Sequence, residues 1–249
     1  MSYQGFCPLM VEYLQHMSRF RERVTILEVG VCTGQTSLPL MANLAARNIK
    51  FDWVGIDIMG DANFSQQITL LEGVDHARHS VNSTGVAQYI IENSLNFLPS
   101  LAETGIVFDL VLLDGDHNYD TVRVELSHLN AITHPDSLVV CDDYGGKHHD
   151  KDSFYSEHDT HRDLEKVSTG LDKSQNKGGV SRAIDEFVQQ NEGRWSISLT
   201  DYEPCFLTRQ LNFACKFLPN IVDNNSVIYH PANIEARFVT TAEALSSTS

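Results

Sequence analysis

Short apolar runs alternate with longer stretches of helical periodicity through most of the chain. The runs are rich in Val, Ile and Leu and lack apolar–polar alternation, which is typical of strands covered on both faces. We predict five such strands, at 24–29, 51–57, 87–91, 108–114 and 137–143. We predict helices at 34–47, in a polar stretch that reaches about 85, and at 94–103, 118–132 and 180–191. Strand–helix alternation of this kind indicates an α/β fold with a doubly wound, Rossmann-like, mostly parallel sheet.

Two further regions flank this pattern. Apolar residues at helical spacing predict an amphipathic helix over 6–21, which either packs on the core or forms a cap over a site or a dimer contact. Runs at 194–201 and 204–210 predict two strands joined by a tight turn, giving the sheet an antiparallel edge strand.

The domain organisation follows from these elements. We expect an N-terminal helix at 1–23, one domain at 24–210 and a C-terminal extension at 211–249 with a frayed tail. Within the domain, the polar segment 144–180 is flanked by glycines and predicts an inserted lid. A second metal site is the alternative, because the segment holds His148, His149, His158 and His161. We favour the lid, since these histidines lack helical H-x-x-x-H spacing.

The composition is that of a globular protein, with 42% apolar and 20% charged residues among 249. No apolar run approaches the roughly 18 residues that cross a bilayer, and the N-terminus lacks the pattern of a secretory signal. Five scattered cysteines indicate reduced thiols rather than disulfides or a zinc site. We therefore expect a cytoplasmic protein without a membrane partner.

The net charge of −15 is concentrated in the middle of the chain. Residues 51–143 contain 15 acidic side chains and only two basic ones. Nucleic acid or an anionic membrane would require a basic face, so we expect neither as a partner. Two interpretations stay open, a solubilising surface and carboxylates gathered around a cation.

The ends of the first two strands predict a nucleoside site. The turn E-V-G-V-C-T-G carries Gly30 and Gly34, which allow close approach of a ligand to the backbone, and the following helix start offers N–H groups to an anion. Asp57 closes the second strand, where a carboxylate can accept both hydroxyls of a ribose. Separately, these residues fit an ordinary turn and a loop cap, but together they are more specific.

Acidic residues follow the fourth and fifth strands. Asp114 ends one strand, and Asp142 and Asp143 end the next, so parallel pairing brings them to one edge of the sheet. Converging carboxylates raise one another's pKa unless a cation lies among them, and oxygen ligands favour Mg²⁺. Helix capping is the alternative, which we favour for Asp116 and Asn118 beside a helix start.

The motifs E-V-G-V-C-T-G, G-I-D, F-D-L-V-L-L-D-G-D-H-N-Y-D, V-V-C-D-D-Y and G-V-S-R-A-I-D-E-F occur in that order over about residues 24–190. The sequence thereby resembles class I S-adenosylmethionine-dependent methyltransferases, especially metal-dependent O-methyltransferases that act on macrolide sugars or catechols. The resemblance implies the class I methyltransferase fold, S-adenosylmethionine as cofactor and Mg²⁺ or another divalent cation. It also implies a small hydroxylated substrate, such as a sugar, diol or catechol-like compound, and leaves a homo-oligomer open.

The resemblance implies a role for each matching residue. The implied cofactor-binding residues are Glu28, Gly30, Gly34, Thr36, Asp57, Asn93 and Ser94. The implied metal ligands are Asp114, Asp142 and Asp143. His117 occupies the position of the lysine base of catechol enzymes, so His117, or Asp114 while bound to the metal, is the expected proton acceptor. A solvated loop histidine is the alternative for His117.

Two other functions stay open at this point. A nucleoside-binding domain of the same fold could act without catalysis, but it has no need for three converging acids. A metal-dependent hydrolase could use the acids, but it leaves the glycine turn and Asp57 without a role.

Overall fold

The computed structural model describes residues 7–71, 73–76, 83–154, 175–198 and 205–209. The predicted extension 211–249 and the middle of the predicted lid, with His158 and His161, lie outside the described residues. The elements in chain order are α1 (Cys7–Met17), β1 (Val24–Val29), α2 (Ser37–Ala46), β2 (Phe51–Asp57), α3 (Ala62–Leu70), β3 (Val74–His76), β4 (Gly85–Ile91), α4 (Ser94–Glu103), β5 (Phe108–Leu113), α5 (Tyr119–Ser127), α6 (Leu129–Ile132), β6 (Thr133–Cys141), α7 (Gly179–Gln190), β7 (Trp195–Ser198) and β8 (Cys205–Arg209).

The described strands form one sheet in the order β3-β4-β2-β1-β5-β6-β8-β7. All pairs from β3 across to β6 are parallel, whereas β8 pairs antiparallel with both β6 and β7. The prediction of a mostly parallel sheet with an antiparallel edge is confirmed. The strand order reverses beside β1, which lies between β2 and β5, and ligands bind beyond the carboxyl ends of strands at such a point.

One strand, β3, was not predicted from the sequence. The segment that reaches about residue 85 was expected to be mostly helical, and it contains α3 followed by β3. β3 has three residues, too few to produce a hydrophobic period, and among the described strands it pairs with β4 alone. The helix predicted at 118–132 is divided at His128 into α5 and α6.

The core lies on both faces of the sheet. Every residue of β5 is buried, and its side chains alternate between the two hydrophobic clusters, with Leu110 and Leu112 in one and Val111 and Leu113 in the other. This double coverage explains the unbroken apolar runs of the sequence.

The helix α1 is part of this core. Its residues Met10, Tyr13 and Leu14 are fully buried in the same cluster as residues of α2 and β5. Of the two interpretations of the N-terminal helix, the structure agrees with the first, in which the helix packs on the core. No helix in the described ranges combines the length and the apolar character needed to cross a bilayer.

Candidate active site

Backbone hydrogen bonds bring the ends of the central strands to one level. The N–H of Gly30 donates to a carbonyl near the end of β2, at 2.9 Å. The N–H of Asp114 donates to the last carbonyl of β1 at 2.8 Å, and that of Asp142 donates to the last carbonyl of β5 at 3.0 Å. The glycine turn and the acids predicted from separate motifs therefore share one rim.

Two glycines of the first turn are required by close packing. Gly30 has a φ of +86°, and a Cβ there would lie 1.9 Å from the carbonyl oxygen of Asp114. Gly34 has a φ of +76°, and a Cβ there would lie 2.1 Å from the ring of Phe64 on α3. Both positions therefore exclude larger residues, but only Gly30 faces the rim where a ligand would bind.

A cavity of about 290 Å³ opens beyond the strand ends. The predicted site residues that line it are Gly30, Asp57, Asn93, Ser94 and Asp114. The predicted cofactor residues Glu28, Gly34 and Thr36 do not line it. Its size is close to the lower limit of small-molecule sites, and it lies at the switch point of the sheet.

The carboxylate of Asp57 is fixed between two loops. Its Oδ2 accepts a hydrogen bond from the N–H of Cys32 in the first turn, and its Oδ1 accepts one from the N–H of Met59, both at 2.7 Å. Each carboxylate oxygen has a second lone pair, so both oxygens can accept a further hydrogen bond from the cavity. The group is thus oriented before any ligand binds.

Glu28 supports the first turn from inside the protein. It is buried, and its Oε2 accepts hydrogen bonds from Ser37 Oγ at 2.8 Å and from Trp53 Nε1 at 3.1 Å. Burial raises the pKa of Glu28 to about 7. Thr36 is the N-cap residue of α2 and makes no capping hydrogen bond through its side chain.

A buried acid behind the cavity was missed from the sequence. Asn93 caps α4 by accepting from the N–H of Leu95, and Ser94 Oγ donates to Oε1 of Glu125 at 2.6 Å. Burial raises the pKa of Glu125 to about 8. The available signal was an acid beside Leu126 on the apolar face of a helix, where ordinary acids are rare.

The capping role favoured for Asn118 is confirmed, whereas the contacts of Asp116 are with side chains at the start of α5 and not with its backbone N–H groups. Asn118 is the N-cap residue of α5, and its Oδ1 accepts from the N–H of Thr121 at 2.9 Å. Asp116 accepts from Thr121 Oγ1 at 3.0 Å and from the side-chain amide of Asn118. These contacts fix the loop that carries His117.

The three predicted metal ligands surround His117. Its Nε2 lies 3.4 Å from Asp114 Oδ1 and 3.9 Å from Asp142 Oδ2, and its Nδ1 lies 3.6 Å from Asp143 Oδ2. Burial, followed by the neighbouring carboxylate of Asp142, raises the pKa of Asp114 well above its usual range. His117 is therefore not a solvated loop residue, since its side chain is only 12% exposed and faces the acids.

His148 is a further member of this cluster, from the segment predicted as a lid. Its Nε2 lies 3.9 Å from Asp143 Oδ2, and its ring stacks on that of His117 with centroids 5.1 Å apart and planes at 13°. Within the described ranges, the side chains form two groups of three that could hold a cation. The groups are Asp114–His117–Asp142 and His117–Asp143–His148.

Comparison with known proteins adds independent information. Residues 27–144 match the family model of a methyltransferase domain, whereas no curated protein sequence matches the chain. Among solved structures, the chain is similar to CalS11, a TDP-rhamnose 3′-O-methyltransferase of calicheamicin biosynthesis. The identity is 12%, the alignment covers 85% of this chain and 82% of CalS11, and the TM-score is 0.50.

Two other solved structures are similar at lower scores. MycE methyltransferase, in complex with Mg, SAH and mycinamycin VI, has 17% identity and a TM-score of 0.47 over 84% of this chain and 50% of MycE. The chain thus spans about half the length of MycE. A putative caffeoyl-CoA O-methyltransferase from Staphylococcus aureus has 14% identity and a TM-score of 0.44 over 81% and 83%.

The matched segment begins inside β1 and ends just after β6, so it contains the whole rim described above. The similarity to CalS11 concerns the fold, which has the same architecture as the sheet predicted from the sequence. Residues 27–144 therefore match a methyltransferase domain, and the chain has the fold of the class I S-adenosylmethionine-dependent methyltransferases.

Proposed function

We propose that the protein transfers a methyl group from S-adenosylmethionine to a hydroxyl of a small substrate, assisted by a divalent metal ion. The observation that carries this proposal is the position of Asp114. Asp114 is one of the residues that line the cavity with Asp57, and its Oδ1 lies 3.4 Å from His117 Nε2 in the acid cluster. A methyl donor in the cavity and a substrate oxygen at the cluster would therefore meet at this residue.

Different residues of the cavity would contact different parts of the cofactor. The two oxygens of Asp57 would accept the ribose hydroxyls, and Asn93 and Ser94 would contact the adenine. Gly30 would let the backbone approach the cofactor. Glu28, Gly34 and Thr36 lie outside the cavity lining, so we assign them to holding the turn that shapes it.

The acid cluster suits a divalent cation. Asp114, Asp142 and Asp143 would hold it, and burial together with the neighbouring carboxylates raises the pKa of Asp114 in the absence of a compensating charge. The ion, when bound, lowers the pKa of a hydroxyl that it contacts. A substrate with two adjacent oxygens, such as a diol, sugar or catechol, fits such a centre best, because both oxygens can approach the ion.

The chain's own side chains would complete the reaction. The substrate oxygen forms a bond to the methyl carbon while the carbon–sulfur bond breaks in line, and the electron pair of that bond stays on sulfur. The hydroxyl proton passes to His117 Nε2 or to Asp114, which face each other at 3.4 Å. Alignment supplies much of the acceleration, with effective molarities of about 10⁵–10⁸ M as the scale.

Calorimetry with S-adenosylhomocysteine tests the cofactor half of this proposal. We expect Asp57→Asn to weaken binding at least about 10-fold, because a charged hydrogen-bond acceptor is lost. Asp52→Asn is the matched control, since Asp52 lies at the opposite end of β2 and pairs with Arg23. No binding at tens of micromolar would contradict the proposal.

Turnover with and without Mg²⁺ tests the catalytic half. Incubation with an isotopically labelled methyl donor and a set of diols, sugars and catechols should give a labelled methyl ether only when the ion is present. Cofactor binding without any transfer would indicate the nucleoside-binding alternative. Transfer that is insensitive to chelation would leave the methyltransferase but remove the metal from its mechanism.

A further inference from the structure

We propose that Asp152 is a positioning residue for methyl transfer, which holds His117 in place through the base of the predicted lid. We call this part of the chain the insert base and define it as residues 144–154 and 175–178. The inference rests on the proposed function, in which His117 accepts the proton of the substrate hydroxyl. Asp152 is not among the described residues that line the cavity, so it would act through other residues.

The carboxylate of Asp152 joins three segments of the chain. Its Oδ1 accepts hydrogen bonds from the N–H of Tyr119 at 2.7 Å and from that of Gly179 at 3.2 Å. These two residues begin α5 and α7, and the first N–H groups of a helix have no partner inside it. Oδ2 accepts from the N–H of Lys177 in the insert base. One negative charge therefore lies at the starts of two helices, where it is favourable, and ties both to the insert base.

Asn176 holds the two halves of the insert base together. Its side-chain oxygen accepts from the N–H of Asp152 at 3.0 Å and from that of Gly178 at 3.1 Å. Its side-chain amide donates to the carbonyl of Asp150 at 3.1 Å. Asp152 is thus fixed from the opposite side, so that its carboxylate is directed at the helix starts before any ligand binds.

The insert base contacts His117 at two points. The N–H of Ser153, next to Asp152, donates to the carbonyl of His117 at 3.0 Å. The ring of His148 stacks on that of His117, with centroids 5.1 Å apart and planes at 13°. The start of α7 packs against the same segment, since a Cβ at Gly179 would lie 2.5 Å from the carbonyl oxygen of His148. Both the backbone and the ring of His117 are therefore held from the segment that Asp152 anchors.

His117 needs such support because a proton acceptor must be aligned. Its Nε2 faces Asp114 Oδ1 at 3.4 Å, and a misplacement of about 1 Å can lower a rate about 100-fold. Loss of the anchor should therefore lower kcat. KM and cofactor affinity should stay the same, because the cofactor cavity is lined by other residues. If Asp152 only stabilised the fold, the folded fraction of a variant would keep its kcat.

Initial rates with labelled methyl donor and the best acceptor among the diols, sugars and catechols test this separation. Asp152→Ala should lower kcat at least about 10-fold, with KM and the affinity for S-adenosylhomocysteine unchanged. Asp152→Asn should recover most of the lost kcat, because its amide oxygen can still accept from Tyr119 and Gly179. Asp150→Ala is the matched control, since the side chain of Asp150 is 73% exposed and lies beside His149.

The imidazole signals of the full chain in ¹H–¹⁵N spectra give a measurement that needs no turnover. His117→Gln and His148→Gln assign the two rings. Asp152→Ala should shift and broaden both signals, because the stacked pair loses its anchor. Asp150→Ala should leave both unchanged. Asn176→Ala removes the second anchor and no helix contact, so it should give the same change even if Asp152→Ala does not fold.

The proposal would be overturned by unchanged His117 signals in folded Asp152→Ala, or by an equal loss of kcat in Asp150→Ala. Absence of methyl transfer by the wild-type protein is a different result. It would remove the proposed function, while the spectra alone would still decide whether Asp152 holds His117.

Discussion

The two ends of β5 carry acids in opposite environments. At the start of the strand, Asp109 accepts from the N–H and hydroxyl of Thr25 and pairs with Arg21 at 2.7 Å and His134 at 3.0 Å. Just past its end, Asp114 has a raised pKa because of burial and the carboxylate of Asp142. The strand thus connects a compensated acid with a crowded one, and the stabilising contacts lie at one end while the proposed active site lies at the other.

The difference follows the distribution of basic residues. Arg21 and Arg23 come from the segment before β1, which lies at the same end of the sheet as Asp109 and Asp52. The acidic middle of the chain has only two basic side chains for its own rim. A cation from solution can supply the missing charge there, so substitutions at the two ends should have different effects.

The largest expected effect is at the crowded end. Asp142→Asn should lower metal-dependent methyl transfer at least about 100-fold, because it removes a ligand oxygen. The unfolding midpoint should stay the same or rise, since one of the repelling charges is lost. Initial rates with saturating cofactor and a thermal melt measure both. A large loss of stability with retained activity would contradict the view that the acids at this end of β5 serve catalysis and not stability.

The opposite result is expected at the compensated end. Asp109→Asn should lower the free energy of unfolding by about 2–3 kcal/mol, because it removes a charged acceptor from Arg21 and His134. Urea unfolding measures the change. Asp52→Asn serves as the control, with a smaller loss, because its side chain is 25% exposed.

Glu125 gives the rim a pH dependence with a defined sign. Its pKa is about 8 in the folded protein and 4.5 ordinarily, so between these values the folded state keeps a proton that the unfolded chain releases. This contribution to stability is complete below pH 4.5 and is lost as the pH rises toward 8.

Glu125→Gln should remove that dependence. The difference in unfolding free energy between wild type and variant should change by up to about 1.4 kcal/mol per pH unit inside this window. Urea unfolding at several pH values measures it, with Glu103→Gln as the exposed control. A difference that is constant across the window would show that Glu125 is already ionised.

The smallest effect is expected for a cation of the compensated end. Arg21→Gln should cost about 1 kcal/mol or less, because its side chain is 37% exposed and Asp109 keeps its other partners. The cost should shrink further at high salt. Arg47→Gln, from an exposed pair with Glu12, should cost still less. Equal losses of unfolding free energy at low and high salt would show that salt does not screen the pair of Arg21 and Asp109.

Prediction from the sequence was most accurate where the pattern is continuous. β1, β2 and α4 begin and end at the predicted residues, because long apolar runs and a clear N-cap mark them. β3 was missed because a strand of three residues is too short to show a hydrophobic period. Glu125 was missed because an isolated acid on a helix does not reveal that Ser94 faces it.

The site residues illustrate the same limit. The pattern of apolar runs was enough to place four acids at strand ends, namely Asp57, Asp114, Asp142 and Asp143. Because parallel strands end at the same edge of the sheet, these acids had to lie along one edge. Which of the first-turn residues line the cavity was not decided by that pattern. Only side-chain packing directs Glu28 toward Ser37 and away from the ligand space.

The sequence by itself determined the class of fold, the order of the main strands and motifs along the chain, and the acids at the strand ends, because local periodicity and residue type encode them. The tertiary structure alone decided that His148 stacks on His117 and lies beside Asp143. The two histidines are 31 positions apart, and α7 holds the second through backbone hydrogen bonds. Contacts of that kind depend on how distant segments pack, which no local pattern records.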